Sequence, residues 1–283
     1  MRGAGRPAPP AGLAVRSPVI RLPRLLPLVI ALLGPFAAEA HDPSAWGGLF
    51  RSRDLGARWL PVSDGRFIGG ALDLAIDPSD PSHMLLATDS GLLRSRNGGR
   101  DWQVEAPSVL AGAVFAVAFA GGGERAIAST GRALFRADGA GWHTVPIPSD
   151  ALPAQAIAVG APGRAYLAGA GGVWRTDDAG ASWTPHGDGL PDGPAAAVIV
   201  APGSPEVVWA VAGGRLWRRA EADRAWEAAD TGLPEGRVDA LALDAVVPGR
   251  VWAAAADQVY RSDHGGRGWA PVGRPLPEPG TSV

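Results

Sequence analysis

The residues that could do chemistry here are arginines, histidines and a few loop acids. Arg51, Arg94, Arg136, Arg175, Arg218 and Arg261 recur along the chain. Grouped guanidinium ions are the chemistry that grips a carboxylate. Each of the six, however, takes the same place in a repeated segment, and a residue that returns with every repeat mostly serves the repeat. They are read as structural. The five histidines, at positions 41, 83, 143, 186 and 264, lack metal-ligand spacing, so no metal is expected. His41 would head the mature chain if residues 1–40 are cleaved, and an N-terminal amine with an imidazole can chelate copper; chance at a cleavage site is the plainer reading. The glycine clusters at 121–123 and 169–172 read as tight turns, not phosphate cradles. No Ser/His/Asp arrangement can be placed from spacing, and neither a catalytic residue nor a cofactor is expected.

The elements that must position these residues are hairpins. The stretch Leu92-Leu93-Arg94-Ser95-Arg96-Asn97-Gly98-Gly99-Arg100-Asp101-Trp102 reads as an apolar strand, a polar turn and a tryptophan opening the next strand. The turn recurs as Ser52-x-Asp54-x-Gly56-x-x-Trp59, Ser95-x-Asn97-x-Gly99-x-x-Trp102 and Thr176-x-Asp178-x-Gly180-x-x-Trp183, and as Ser262-x-His264-x-Gly266-x-x-Trp269, where histidine takes the acidic place. A short Asp or Asn side chain accepts backbone N–H groups within such a turn, glycine supplies the positive φ, and tryptophan covers the hairpin. Two further copies, ending at Trp142 and Trp226, are degenerate. The closing tryptophans 59, 102, 142, 183, 226 and 269 are 43, 40, 41, 43 and 43 residues apart.

This turn resembles the Asp-box of the bacterial neuraminidase repeat (BNR) family and its relatives, among them sialidase-like, Ycf48-like and YVTN/WD40-like exported repeat proteins. Six copies in phase over residues 48–269 imply an all-β propeller of four-stranded antiparallel blades. Each repeat reads the same way. An inner strand of small apolar residues lies at 72–76, 114–119, 156–159, 197–200 and 238–243. A second follows at 84–88, 125–129, 165–168, 207–211 and 251–255. The third strand, the turn and a fourth strand beginning at the tryptophan complete the unit. The chain enters at a third strand, which predicts five full blades and one half-blade. Sialidases of this repeat family bind a carboxylate with an arginine triad and use a tyrosine nucleophile with a carboxylate partner. Tyr260 aligns with Phe50, Phe135, Trp174 and Trp217 as a blade-core aromatic, and Tyr166 has no carboxylate near it in sequence. The resemblance therefore carries the fold, and the catalytic residues find no matching positions.

Residues 1–40 read as a secretory signal peptide: arginines at 2, 6, 16, 21 and 24, an apolar run over 25–36, and Ala38-Glu39-Ala40 before His41. The apolar run is short for a membrane span, and none is expected after cleavage. Residues 41–283 are expected to form one propeller domain. Cysteine is absent, which for an exported protein fits a bacterial periplasm. Every basic side chain other than histidine is arginine, and the formal net charge of −2 gives no field favouring nucleic acid.

Variable loops on a rigid scaffold are the usual place for binding. The loops after the second and fourth strands share one face, and Arg66, Asp89, Arg132, Asp188, Asp192, Arg237 and Asp257 are its polar candidates. The favoured function is an exported, non-catalytic scaffold binding a periplasmic or membrane protein. The alternative is a glycan-binding or glycan-hydrolysing propeller.

Overall fold

The computed structural model describes residues 50–52, 54, 58, 60–61, 70–201, 206–244, 246–273 and 275. The expected leader, Gly56, Trp59 and Arg66 lie outside them. Short apolar runs broken by Gly, Pro and Asp cannot sustain helices, and they pair as antiparallel meanders. Strands β1 (Phe50–Arg51) and β2 (Leu60–Pro61) form a two-stranded hairpin. The first blade follows as β3 (Ala71–Ile76), β4 (Met84–Thr88), β5 (Gly91–Ser95) and β6 (Gln103–Glu105). The second is β7 (Val114–Phe119), β8 (Arg125–Thr130), β9 (Leu134–Asp138) and β10 (Trp142–Val145). The third is β11 (Ala154–Val159), β12 (Ala165–Gly169), β13 (Gly172–Thr176) and β14 (Thr184–Pro185). The fourth is β15 (Ala195–Ala201), β16 (Val207–Ala212), β17 (Arg215–Ala220) and β18 (Glu227–Ala228). The fifth is β19 (Val238–Leu243), β20 (Val251–Ala255), β21 (Gln258–Ser262) and β22 (Ala270–Val272). Five four-stranded antiparallel sheets and one half-blade are the propeller architecture that the repeat predicts. The one helical turn among the described residues is a short 3₁₀ segment, Ser149–Ala151.

Successive first strands lie against one another, so they form the inner wall and the hairpins splay outward. The core is not central. It falls into four clusters, one at each junction between consecutive blades. Leu85, Val114 and Val117 belong to the first, Ile127, Leu134 and Leu167 to the second, Val173 and Val198 to the third, and Trp209, Leu216 and Val251 to the fourth. Burying each such side chain contributes roughly 1.5–3 kcal/mol, so every junction is a hydrophobic interface in its own right.

The layout departs from expectation in detail. The first strands of the second and fifth blades have the expected bounds, whereas those of the first, third and fourth start one or two residues early, at Ala71, Ala154 and Ala195. All five carry a bulge near the beginning: between Ala71 and Asp73, Val114 and Ala116, Ala154 and Ala156, Ala195 and Ala197, and Val238 and Ala240. A bulge adds one unpaired residue and breaks the alternation that marks a strand. Second strands carry the bulky aromatics Tyr166, Trp209 and Trp252 alongside their small residues. The closing tryptophan stands just ahead of the fourth strand in four described blades and opens it only at Trp142.

Candidate functional site

The four-stranded meander sorts the connections onto two faces. Turns between third and fourth strands, with those between first and second, lie on one. Turns between second and third strands, with the loops linking blades, lie on the other.

On the turn face, the repeated motif is a set of local hydrogen bonds. Ser95 Oγ accepts the N–H of Gly99 at 2.9 Å, Thr176 Oγ1 that of Gly180 at 3.0 Å and Ser262 Oγ that of Gly266 at 2.9 Å. The short acceptor two residues on takes the N–H four residues further along. Asp54 accepts Arg58 N–H at 2.8 Å, Asn97 accepts Asp101 N–H at 2.9 Å and Asp178 accepts Ser182 N–H at 2.8 Å. Ser52 Oγ also donates to Asp54 Oδ1. Burial opposes ionisation of Asp178, but hydrogen bonds from the Ser182 side chain and backbone and from Thr176 outweigh it and hold its pKa at about 2. His264 offers no such acceptor; its turn keeps the serine half, with His264 N–H donating to Ser262 Oγ. Gly180 and Gly266, at φ 86° and 84°, are needed for conformation and for space. These motif residues are fully occupied by the turn itself.

Four of the third-strand arginines are likewise engaged, whereas the buried Nε of Arg136 meets no hydrogen-bond partner among the described residues. Arg94 is buried, forks onto Glu105 through Nε at 2.7 Å and Nη2 at 2.8 Å, and meets Glu124 from the second blade at 3.1 Å. Its Nη1 also contacts His83 Nε2, while His83 Nδ1 faces Asp77 at 3.4 Å. Burial, then the neighbouring Arg94 and Arg96, holds the His83 pKa below the ordinary histidine value. Arg218 pairs with Glu227 at 2.7 Å, Arg175 with Asp177 at 2.7 Å and Arg261 with Asp263 at 3.0 Å.

Sequence reasoning missed one constellation. Tyr166 does have a carboxylate, Glu206, forty residues on and across the junction of the third and fourth blades. The phenol donates to Glu206 Oε1 at 2.6 Å, and Glu206 Oε2 accepts Ala161 N–H at 2.7 Å. Arg164 lies 3.6 Å from the same carboxylate and pairs with Asp177 at 2.9 Å and Glu221 at 2.7 Å. Gly160 makes room: a Cβ there would stand 2.0 Å from Glu206 Oε2. Tyr166 is 2% exposed and Glu206 1%. Burial first, then the bond to Glu206, pushes the tyrosine pKa up, away from an activated phenolate. His186 packs at the same junction, its ring tilted against Tyr166 at 5.5 Å and edge-on to Trp226 at 6.0 Å; burial, then Arg219 and Arg175, lowers its pKa to about 4. The only local signal for the pair was tyrosine at a position where other blades carry Leu85, Ile127, Trp209 and Trp252.

On the loop face, the sequence candidates divide. Asp89 is structural in its contacts: it accepts Gly70 N–H at 2.9 Å and the Ser90 hydroxyl at 2.6 Å. Arg237 pairs with Asp239 at 2.7 Å. Asp188 is exposed, and its carbonyl accepts Trp226 N–H at 2.8 Å. Arg132 and Asp257 sit at exposed tips of second-to-third-strand turns, and Asp192 is exposed on the loop entering the fourth blade. The side chains of Arg132, Asp188, Asp192 and Asp257 form no ion pair among the described residues. They lie on the turns of the second and fifth blades and on the loop joining the third blade to the fourth. The Gly-Leu-Pro-acid-Gly loops prove structural at their first glycine: Gly189 and Gly232, at φ 93° and 94°, pass against the backbones of Trp226 and Trp269. No cluster of three or more His, Asp or Glu side chains suited to a metal occurs among the described residues.

The chain matches no protein-family model and no curated protein. Solved structures share its fold. A GH74 enzyme of Niastella koreensis superposes with a TM-score of 0.62 at 16% identity, over 80% of this chain and 42% of that one. YCF48 bound to a D1 peptide gives 0.52 at 18%, over 71% and 68%. PorZ, an essential bacterial surface component of the type-IX secretion system of Porphyromonas gingivalis, gives 0.56 at 20%, over 72% and 28%. This chain thus spans less than half of the GH74 and PorZ chains. At such identities the likeness is one of fold, the β-propeller.

Proposed function

We propose that the protein is an exported, non-catalytic propeller of the Asp-box type that binds a periplasmic or membrane protein through its loop face. The observation carrying this reading is a set of exposed loop-face acids without ion pairs, beside the paired Arg215–Asp230 and Arg237–Asp239 of the same face. On the turn face Arg96–Glu124 and Arg164–Glu221 pair across blades, and Arg250–Asp263 pairs within the fifth blade. On the loop face, Asp188, Asp192 and Asp257 stand exposed without such partners. Unpaired acids spaced over several blades suit an extended basic surface better than a small ligand, which needs groups converging on a cleft. Two fold neighbours support the reading by analogy, one solved with a bound peptide and one a secretion-system component. Export rests on the basic leader, the apolar run and Ala38-Glu39-Ala40. N-terminal sequencing of protein recovered from the periplasm should begin at His41; periplasmic protein that retains the leader would contradict cleavage, and protein found only in the cytoplasm would contradict export.

The glycan-acting alternative has one observation in its favour, the Tyr166–Glu206 pair with Arg164 beside it. The pair is sealed between blades, however, and its phenol is held protonated. The two readings separate in one assay. Purified protein is tested against a panel of sialosides and other glycosides, with Tyr166→Phe and Asp192→Ala alongside. The scaffold reading expects no turnover from any of them. Wild-type turnover abolished by either substitution would make the protein an enzyme.

A further inference from the structure

One carboxylate bridges the first and second blades. Glu105 stands three residues after the closing Trp102 and pairs across the sheet with Leu92, two residues before the third-strand Arg94. Its Oε2 accepts Arg94 Nε at 2.7 Å, and its Oε1 accepts both Arg94 Nη2 and the indole N–H of Trp142, the closing tryptophan of the next blade, each at 2.8 Å. A carboxylate suits this place because its two oxygens serve a guanidinium fork and an indole at once. At later junctions the backbone of the residue in Glu105's place serves the indole instead: Trp226 donates to His186 O at 2.6 Å and Trp269 to Ala229 O at 2.7 Å.

The junction of the second and third blades has the same donors around a different centre. Val145 stands three residues after Trp142 and pairs with Leu134, two residues before Arg136. Its side chain is buried and can accept nothing. Arg136 Nε and Trp183 Nε1 are the counterparts of the two nitrogens that Glu105 joins. Both are buried, and neither meets an acceptor among the described residues. Asp138, on the same strand as Arg136, faces His143 at 3.4 Å. Trp183 is 7% exposed and lies in one cluster with Ile127, the residue opposite Arg136. Arg136 also approaches the third-blade turn, where a Cβ on Gly180 would lie 3.9 Å from its Cδ. Its side chain is partly exposed, which leaves the junction approachable from solvent. Buried donors without an acceptor are costly, and a guanidinium among them selects an anion. We propose that this junction binds a carboxylate, which takes between Arg136 and Trp183 the acceptor role that Glu105 has between Arg94 and Trp142. The site is independent of the loop face.

The carboxylate belongs either to a small free acid or to an acidic side chain of a partner protein, and formate and a capped glutamate probe the two. Isotope-labelled protein is titrated with sodium formate, and separately with N-acetylglutamate amide, while sodium chloride holds the ionic strength constant. The indole N–H signals are followed by NMR, and the Trp183 signal is assigned by its loss in Trp183→Phe. That signal should move downfield and saturate, because its N–H gains a charged acceptor, whereas the Trp142 signal, already bonded to Glu105, should stay. Arg136→Met keeps an apolar stem, removes the charge and should weaken binding about tenfold or more. Val145→Glu supplies the carboxylate from within and should abolish the response. A response to formate alone assigns the site to a small free acid; a response to the capped glutamate assigns it to an acidic side chain. A Trp183 signal that neither probe moves would overturn the proposal. So would a shift shared by Trp142, or one that Arg136→Met or Val145→Glu leaves unchanged. Should a variant fail to fold, the wild-type titration decides, since Trp183 must respond and Trp142 must not.

Discussion

Tyr166 and Asp73 show what single residues do in this scaffold. The Tyr166 hydroxyl donates to a carboxylate buried with it, so Tyr166→Phe leaves one lone pair of Glu206 unmet. A hydrogen bond to a charged group contributes roughly 1.5–3 kcal/mol. Urea unfolding of Tyr166→Phe should show a loss of that size, and an unchanged midpoint would mean that the bond holds nothing. Asp73, on β3, accepts Val117 N–H of the next blade at 2.9 Å and Leu74 N–H at 2.8 Å. The equivalent residues in other blades are Ala116, Ala156, Ala197 and Ala240. Burial raises the Asp73 pKa from 3.8 to about 6, although both N–H groups pull the other way. Because the folded value is raised, the neutral acid is favoured in the fold. Its contribution is full below 3.8 and is lost as pH rises through about 6. The stability difference between wild type and Asp73→Asn should therefore shift toward the variant between about pH 4 and 7, read from urea midpoints across that range. A difference independent of pH would contradict it. Neither residue's partnership was legible in the sequence. Glu206 lies forty positions from Tyr166, and Asp73 interrupts an otherwise small, apolar strand with no motif around it.

The turns were legible because their hydrogen bonds run between residues two and four apart, and local chemistry leaves a local pattern. The pattern does not by itself say which substitutions are neutral. Asn97→Asp restores the acid found at Asp54 and Asp178, yet Asn97 Nδ2 donates to Asp101 Oδ2 at 2.7 Å. The substitution turns that bond into a carboxylate pair and should lower stability by about 1 kcal/mol or more, reduced by salt. A stabilised variant would show that the repeat pattern outweighs the local partner. Gly266→Ala tests the packing between blades. With φ at 84° and Trp209 Nε1 at 2.7 Å from the new Cβ, it should cost roughly 2 kcal/mol or more, whereas Gly268→Ala, with open space around it, should cost less. Equal losses would mean that the close approach to Trp209 is not what the glycine serves. The starts of β7 and β19 were legible, whereas those of β3, β11 and β15 were read one or two residues late, the missed residues lying at or before the bulge.

For the molecule as a whole, the tryptophan period was enough for the blade architecture, because each repeat is one supersecondary unit that must bury its faces against its neighbours. What the period could not give is the division of charge. Arg96 finds Glu124, and Arg164 finds Glu221, only across a junction, so the turn face looks as charged as the loop face until the blades are assembled. The loop-face acids without ion pairs in the assembled blades are the basis for placing the partner on that face, and site-specific photocrosslinking in the native cell tests the placement most directly. A photoreactive residue replacing Arg132, Asp192 or Asp257 on the loop face is compared with one replacing Arg100 or Arg267 on the turn face. The account predicts one discrete protein adduct from the loop-face positions and none from the turn face. Adducts confined to the turn face, or the absence of any protein adduct from Arg132, Asp192 and Asp257, would contradict it.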